Sequence, residues 1–302
     1  MRLDDERESS YVEDRREESI GGGGFGSTIS NASRLFYLLP LIKGLLRTKF
    51  GWVILLVGAF LYFGGGNISQ LFSSSSKTKS SISDNKTAIF IKKVKRTTEK
   101  VWSRLIPNYK PAILVLYRGV TRSGCGYAKA QVGPFYCPVD QKIYLDLAFF
   151  DELARKLNAP GDFAQAYVLA HEVGHHVQNL QGILQKVQSL QQRAARMGRK
   201  DLVNKLQIPL ELQADCYAGI WAHYVRARLE EGDIEEAMNA AAQIGDDMLQ
   251  KRFQGYVVPD SFTHGTSKER TYWFIRGYKS GKISDCDTFR YYKIRGMRFN
   301  SY

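Results

Sequence analysis

The chain has 302 residues, 44% of them hydrophobic, with 43 lysines and arginines against 30 aspartates and glutamates, a formal net charge of +13. That length accommodates one substantial domain plus appendages, and the apolar content suffices for a packed core. The basic balance favours anionic surfaces, but the positive residues are scattered and accompany no recognition motif, which reads as a solvated basic surface and excludes nucleic acid as a partner.

Residues 1–34 mix acids and bases (DDERESSYVEDRREES) and run into GGGGFG. Such a stretch buries too little apolar surface to offset its chain entropy, so disorder is expected. The glycine run lacks the preceding strand and the GK[ST] ending of a phosphate loop. Residues 35–46 are apolar but interrupted by Pro40 and Lys43, which suggests an interfacial stretch, and residues 1–49 together read as a cytoplasmic juxtamembrane segment.

Residues 50–72 (FGWVILLVGAFLYFGGGNISQLF) lie in an uncharged span from Phe50 to Ser76. A membrane helix needs about 20 mostly apolar residues, and this run reads as one transmembrane helix. The alternative, a buried core helix, has no core to join between such flanks. Arg34, Lys43, Arg47 and Lys49 precede the span and no positive residue follows until Lys77. Positive flanks stay cytoplasmic, so the reading is a single-pass protein of the cytoplasmic membrane, with the bulk of the chain extracytoplasmic. A cleaved signal peptide fits less well, because no small-x-small pattern follows the apolar run.

Residues 73–87 read as a polar linker, with the folded domain spanning 83–302. Ala88, Ile91, Val94, Val101, Trp102 and Leu105 recur at near-helical spacing and predict an amphipathic helix. Ala112–Tyr117 and Lys142–Leu147 read as strands around a Gly/Cys/Pro-rich segment, and from Asp151 the pattern is mainly helical. The fold class is α+β, a small sheet ahead of a helical body. Four cysteines, with no CxxC pair, allow three pairings. In an oxidising compartment Cys125–Cys137 closes a short loop and Cys216–Cys286 ties a helix to the C-terminal region; otherwise all four stay reduced.

The chemistry concentrates in GDFAQAYVLAHEVGHHVQNLQG, residues 161–182. His171 and His175 are four apart, so on a helix both imidazoles project from one face toward a single ion. Glu172 sits about 100° round from His171, placed to act as a base on water without being a ligand. Leu169, Val173, Val177 and Leu180 form an apolar stripe on the other side, Asp162 reads as the N-cap and Gly182 as the stop. The bland alternative is two surface histidines on an ordinary helix.

A catalytic zinc site takes three protein ligands and an open position. In IPLELQADCYAGIWAH, Glu211 can supply the third ligand, and Asp215, one turn on, can accept a hydrogen bond from the far nitrogen of a ligand histidine. The alternative is an exposed acidic pair. His176 and His223 fall off the ligand faces and read as structural or surface residues. His264 lies in a Pro- and Gly-punctuated loop before the helix that carries Arg270, and either residue can stabilise an oxyanion.

The blocks RESSYVEDRR, LYRGVTRSGCG, GPFYCPVDQKIYLDLAFF, GDFAQAYVLAHEVGHHVQ, LELQADCYAGIWA, IGDD and VVPDSFTHGTSKERTYWF resemble the predicted neutral zinc metallopeptidase family of bacterial membrane-anchored proteins. More distantly, HExxH, then ExxxD, then a TH-x-x-x-x-R element is similar to the membrane-associated gluzincin peptidases. That likeness implies Glu211 as third zinc ligand, Asp215 behind it, and His264 and Arg270 as transition-state residues. The chain has Gly265 where those peptidases usually carry proline, and one span instead of several, so cleavage within the bilayer is not implied.

The combined expectation is a zincin-like α+β domain that holds one Zn2+ and hydrolyses peptide or protein substrates, which pair along Lys142–Leu147 as an edge strand. The rival readings are a zinc amidase acting on a cell-wall peptide and a catalytically silent scaffold that keeps zinc structurally.

Overall fold

The computed structural model describes residues 1–18, 82–129 and 133–294. Its first strand lies where disorder was expected. β1 (Val12–Asp14) pairs in parallel with β2 (Ile113–Tyr117), Val12 opposite Leu114 and Asp14 opposite Leu116. Met1 and Leu3 are buried in the main core. The Met1 α-ammonium donates to Glu230 at 2.7 Å, Asp162 at 3.1 Å and Asp233 at 3.3 Å. Glu6 receives Lys100 at 2.7 Å, and Arg228 reaches Asp5 at 2.6 Å. The segment is charged enough to look disordered in isolation, but its charges meet fixed partners on the domain, and a parallel backbone ladder supplies the rest. Residues 1–18 are therefore corrected from a disordered tail to part of the folded unit, which comprises Met1–Glu18 together with the chain from Ser80 onward.

The expected membrane span, residues 50–72, lies outside the described residues. Among the described residues no helix is long and apolar enough to cross a membrane.

Helix α1 (Ile82–Leu105) starts inside what read as linker and buries Ala88, Ile91, Val94, Val101 and Trp102. After β2 come a hairpin, β3 (Val120–Ser123) and β4 (Gly126–Lys129), then β5 (Phe135–Cys137) and β6 (Lys142–Asp146). The main sheet has the order β1-β2-β6-β5, with β5 the antiparallel member. β6 is therefore an inner strand paired on both sides, and the expectation that Lys142–Leu147 offers a free edge is corrected: the edge facing away from β1 is β5. Four of the five β6 residues are buried, but the sequence does not show which strands pair on its two sides, because the partner is chosen in three dimensions. A Cys125–Cys137 disulfide fastens the hairpin turn to β5.

The helical body comprises α2 (Ala148–Arg155), α3 (Asp162–Leu180), α4 (Ile183–Arg196), α5 (Lys200–Tyr224), α6 (Asp233–Gln243), α7 (Asp246–Gln254), α8 (Ser267–Ser280) and α9 (Thr288–Tyr291). Helix α3 is buried on nearly every side, including Phe163, Tyr167, Val173 and Val177, while Leu180 at its end is 36% exposed and leaves the expected stripe. Its N-cap is Gly161 and Asp162 is its first residue; the Phe163 amide is satisfied by Glu236 of α6 at 3.0 Å. One orphan donor of this helix is thus capped from another element, which no local pattern announces.

Two helix crossings set the site. A Cβ on Gly174 would stand 3.0 Å from the Ala214 backbone, so the glycine of HEVGH permits α3 and α5 to approach closely. On the other face of α5, a Cβ on Gly277 of α8 would meet the Cys216 carbonyl oxygen at 1.9 Å. A Cys216–Cys286 disulfide then ties α5 to the segment before α9.

Candidate metal centre

The close crossing of α3 and α5 brings three side chains together. His171 Nε2 lies 3.3 Å and His175 Nε2 lies 3.4 Å from the same oxygen, Oε2, of Glu211. The three donor atoms all fall within 4.8 Å of one another. A tetrahedral ion with bonds of about 2.0–2.1 Å separates its ligand atoms by about 3.3 Å, so the two spacings fit a zinc-sized cation. His171 and Glu211 are buried and His175 nearly so.

The far nitrogens decide the tautomers. Asp215 Oδ1 accepts from His171 Nδ1 at 2.8 Å, which leaves the Nε2 lone pair pointing at Glu211. His175 Nδ1 lies 2.9 Å from Gln178 Oε1, and Gln178 Nε2 donates to the Leu210 carbonyl at 2.7 Å. A carbonyl only accepts, so the amide orientation is forced, His175 carries its proton on Nδ1, and its Nε2 is free to bind metal. Asp215 is fully buried and also receives Tyr167 Oη at 2.5 Å and Arg270 at 2.9 Å on each oxygen.

Burial alone would lower the His171 pKa, but the Asp215 charge and hydrogen bond, with Glu211 behind them, hold it up at about 9. His175 is raised against burial by Glu211. Burial would raise Glu211, yet the two imidazoles hold it well below the usual carboxylate range. The cluster thus favours positive charge at its centre, and a divalent cation satisfies that demand while displacing protons from the rings.

These atoms stand on the floor of a cleft of about 630 Å³. Glu172 and His264 line it with the metal-binding group, facing apolar walls that include Phe149, Leu184 and Val187. His264 is half-exposed, its Nδ1 lies 3.1 Å from Asp246, and the Thr263 and His264 amides both donate to Asp246 at 2.6 Å. Those bonds hold Asp246 below its ordinary pKa although burial opposes them. Arg270 is 2% exposed and turned onto Asp215, with Tyr167 and the Ile244 carbonyl each 3.3 Å away. Arg270 also lines the cleft, and its guanidinium braces the carboxylate behind His171.

Sequence reasoning missed Tyr167, Gln178, Gln207 and Asp246. Three of them were findable, because Tyr167 lies four residues before His171, Gln178 three after His175, and Gln207 four before Glu211, all on shared helix faces. His176 is structural as expected, bonded to the Lys110 carbonyl at 2.6 Å and to Tyr136 Oη at 3.1 Å. His223 bonds the Tyr278 carbonyl at 2.8 Å. A second acidic group, Asp162, Asp233 and Glu236, matches metal spacing as well. Two of those carboxylates receive the Met1 ammonium and the third caps α3, so that group already has its cation and its donor.

Fold and site together define an α+β protein with two histidines and one carboxylate at metal-ligand spacing in a cleft. The chain belongs to the family described as "Putative neutral zinc metallopeptidase", whose model matches residues 1–289. It is 45% identical over 304 residues to "Uncharacterized protein YpfJ" of Escherichia coli K12, covering 96% of this chain and 99% of that protein. It is 41% identical over 206 residues to "Uncharacterized protein Rv2575" of Mycobacterium tuberculosis H37Rv, covering 64% of this chain and 67% of that protein. No solved structure matches the chain.

Proposed function

We propose that the protein is a zincin-like peptidase in which His171, His175 and Glu211 hold one Zn2+ and Glu172 is the general base. The observation that carries this reading is the meeting of two imidazole nitrogens and one carboxylate oxygen at ligand spacing on the floor of an open cleft. A zinc ion held there supplies Lewis acidity toward water and the scissile carbonyl. Glu172, one residue past the first ligand and lining the cleft, takes a proton from the attacking water and passes it to the leaving amine. His264, oriented by Asp246, donates to the oxyanion of the tetrahedral intermediate. Asp215, Tyr167 and Arg270 hold the His171 ring in one tautomer.

We place the catalytic domain outside the cytoplasm. Two disulfides, Cys125–Cys137 and Cys216–Cys286, support an oxidising compartment. Attachment to a membrane through residues 50–72 rests on their apolar sequence, and residues 1–18 then share the side of the catalytic domain.

The test is Glu172→Ala in the purified full chain, assayed for bound zinc and for cleavage of a peptide library and of cell-wall fragments. Retained zinc with peptide cleavage lost supports the reading. A parent protein that binds zinc yet cleaves neither set gives the site to a structural role, and cleavage confined to wall fragments makes it an amidase.

A further inference from the structure

Glu211 has two oxygens in different surroundings. Oε2 faces both imidazoles, while Oε1 accepts a hydrogen bond from Gln207 Nε2 at 2.7 Å. Gln207 lies one turn earlier on α5, so the pair is an i, i+4 contact on the cleft side of that helix. The Gln207 carbonyl oxygen in turn accepts from Gln191 Nε2 of α4 at 3.0 Å, and the same nitrogen lies 3.3 Å from the Val203 carbonyl.

Every link in this chain has a forced direction. The Val203 carbonyl can only accept, so the Gln191 amide nitrogen must face it and Gln207. Gln207 must then present oxygen to Gln191 and nitrogen to Glu211 Oε1. No flip of either amide keeps all these bonds. We infer that Gln207, oriented by Gln191, is a positioning residue: it occupies Oε1 so that Glu211 offers the metal one oxygen and leaves room for water and substrate. A carboxylate free of that bond can rotate, bring both oxygens to the ion and fill the open place a hydrolytic site needs. The same amides line the cleft wall, so this support sits on the substrate side of the site and is separate from the Asp215 and Gln178 contacts behind the two histidines.

This inference rests on the zinc reading proposed above, and the experiment separates the two. Zinc affinity of the purified full chain is measured by competition with a chromophoric chelator, and the cobalt(II) form is followed by its visible spectrum. Gln207→Met, which keeps length and removes the donor, should move the cobalt spectrum toward that of a higher coordination number and shift zinc affinity about 10- to 100-fold, with the unfolding midpoint of the metal-free protein unmoved. Gln191→Met should move both readouts in the same direction by less. If Gln207→Met binds zinc and colours cobalt as the parent does, Gln207 merely lines the cleft and the inference falls while the zinc reading stands. If the parent itself binds no zinc, both fall. Should Gln207→Met not fold, Gln191→Met decides: an affinity and spectrum equal to the parent's overturn the inference.

Discussion

Arg270 grips Asp215 with two hydrogen bonds of 2.9 Å, one to each oxygen, and Asp215 passes that support to His171 at 2.8 Å. All three side chains are buried, so His171 is braced by a salt bridge that water does not reach. Burial favours the neutral Asp215, and the Arg270 and His171 charges outweigh it to keep the carboxylate ionised.

Arg270→Ala leaves that carboxylate buried without its main counter-charge. Breaking a buried pair from one side costs about 3–5 kcal/mol, so the metal-free protein should unfold at clearly lower denaturant. Arg270→Lys should not restore the parent, because a single ammonium cannot span both oxygens as the guanidinium fork does. Urea unfolding of the three proteins is the measurement.

His264→Ala tests the division between holding metal and stabilising charge. Its side chain lines the cleft but stands outside the metal-binding group. Zinc content should match the parent while kcat falls roughly 10²- to 10³-fold with little change in KM. Asp246→Asn, which loosens the His264 loop from behind, should lower kcat by less. Zinc lost along with activity in His264→Ala would instead make it a ligand.

Acid stability should report on His176. Burial lowers its pKa from 6.5 to about 4, and its neighbours agree with a neutral ring: Nε2–H donates to the Lys110 carbonyl, and Nδ1 accepts from Tyr136. The unfolded chain binds a proton between those two values and the folded protein does not. Stability from this residue is therefore intact above pH 6.5 and declines as pH falls toward 4, by on the order of 3 kcal/mol at most. An NMR titration should find the His176 ring neutral down to about pH 4 while the denatured ring titrates normally.

The position of β1 predicts a labelling result. The four native cysteines are paired, so introduced thiols can be read alone. Ser10→Cys, beside β1, and Met197→Cys, 66% exposed at the far end of α4, should react alike with a membrane-impermeant maleimide on intact cells. Labelling of one and protection of the other would mean that residues 1–18 do not stay with the domain.

The HExxH helix, the Glu211–Asp215 pair and the strands at residues 113–117 and 142–146 were legible in the sequence. Each depends on spacing along a single element, and helix and strand periods translate such spacing directly into a shared face. The first strand was not legible, because three residues of a charged segment become a strand only against Ile113–Tyr117. The caps of α3, the edge position of β5 and the turn of Arg270 toward Asp215 were hidden for the same reason.

By itself, then, the sequence determined that two imidazoles and a neighbouring carboxylate would project from one helix, and that a second helix carried two acids on one face. Only the tertiary structure decided that Gly174 lets these helices approach until Glu211 shares an oxygen between both rings, and which neutral amides and charges hold each ligand in place. Local hydrogen bonding and periodicity are written into neighbouring residues, whereas the distance between two helices is set by packing across segments far apart in the chain.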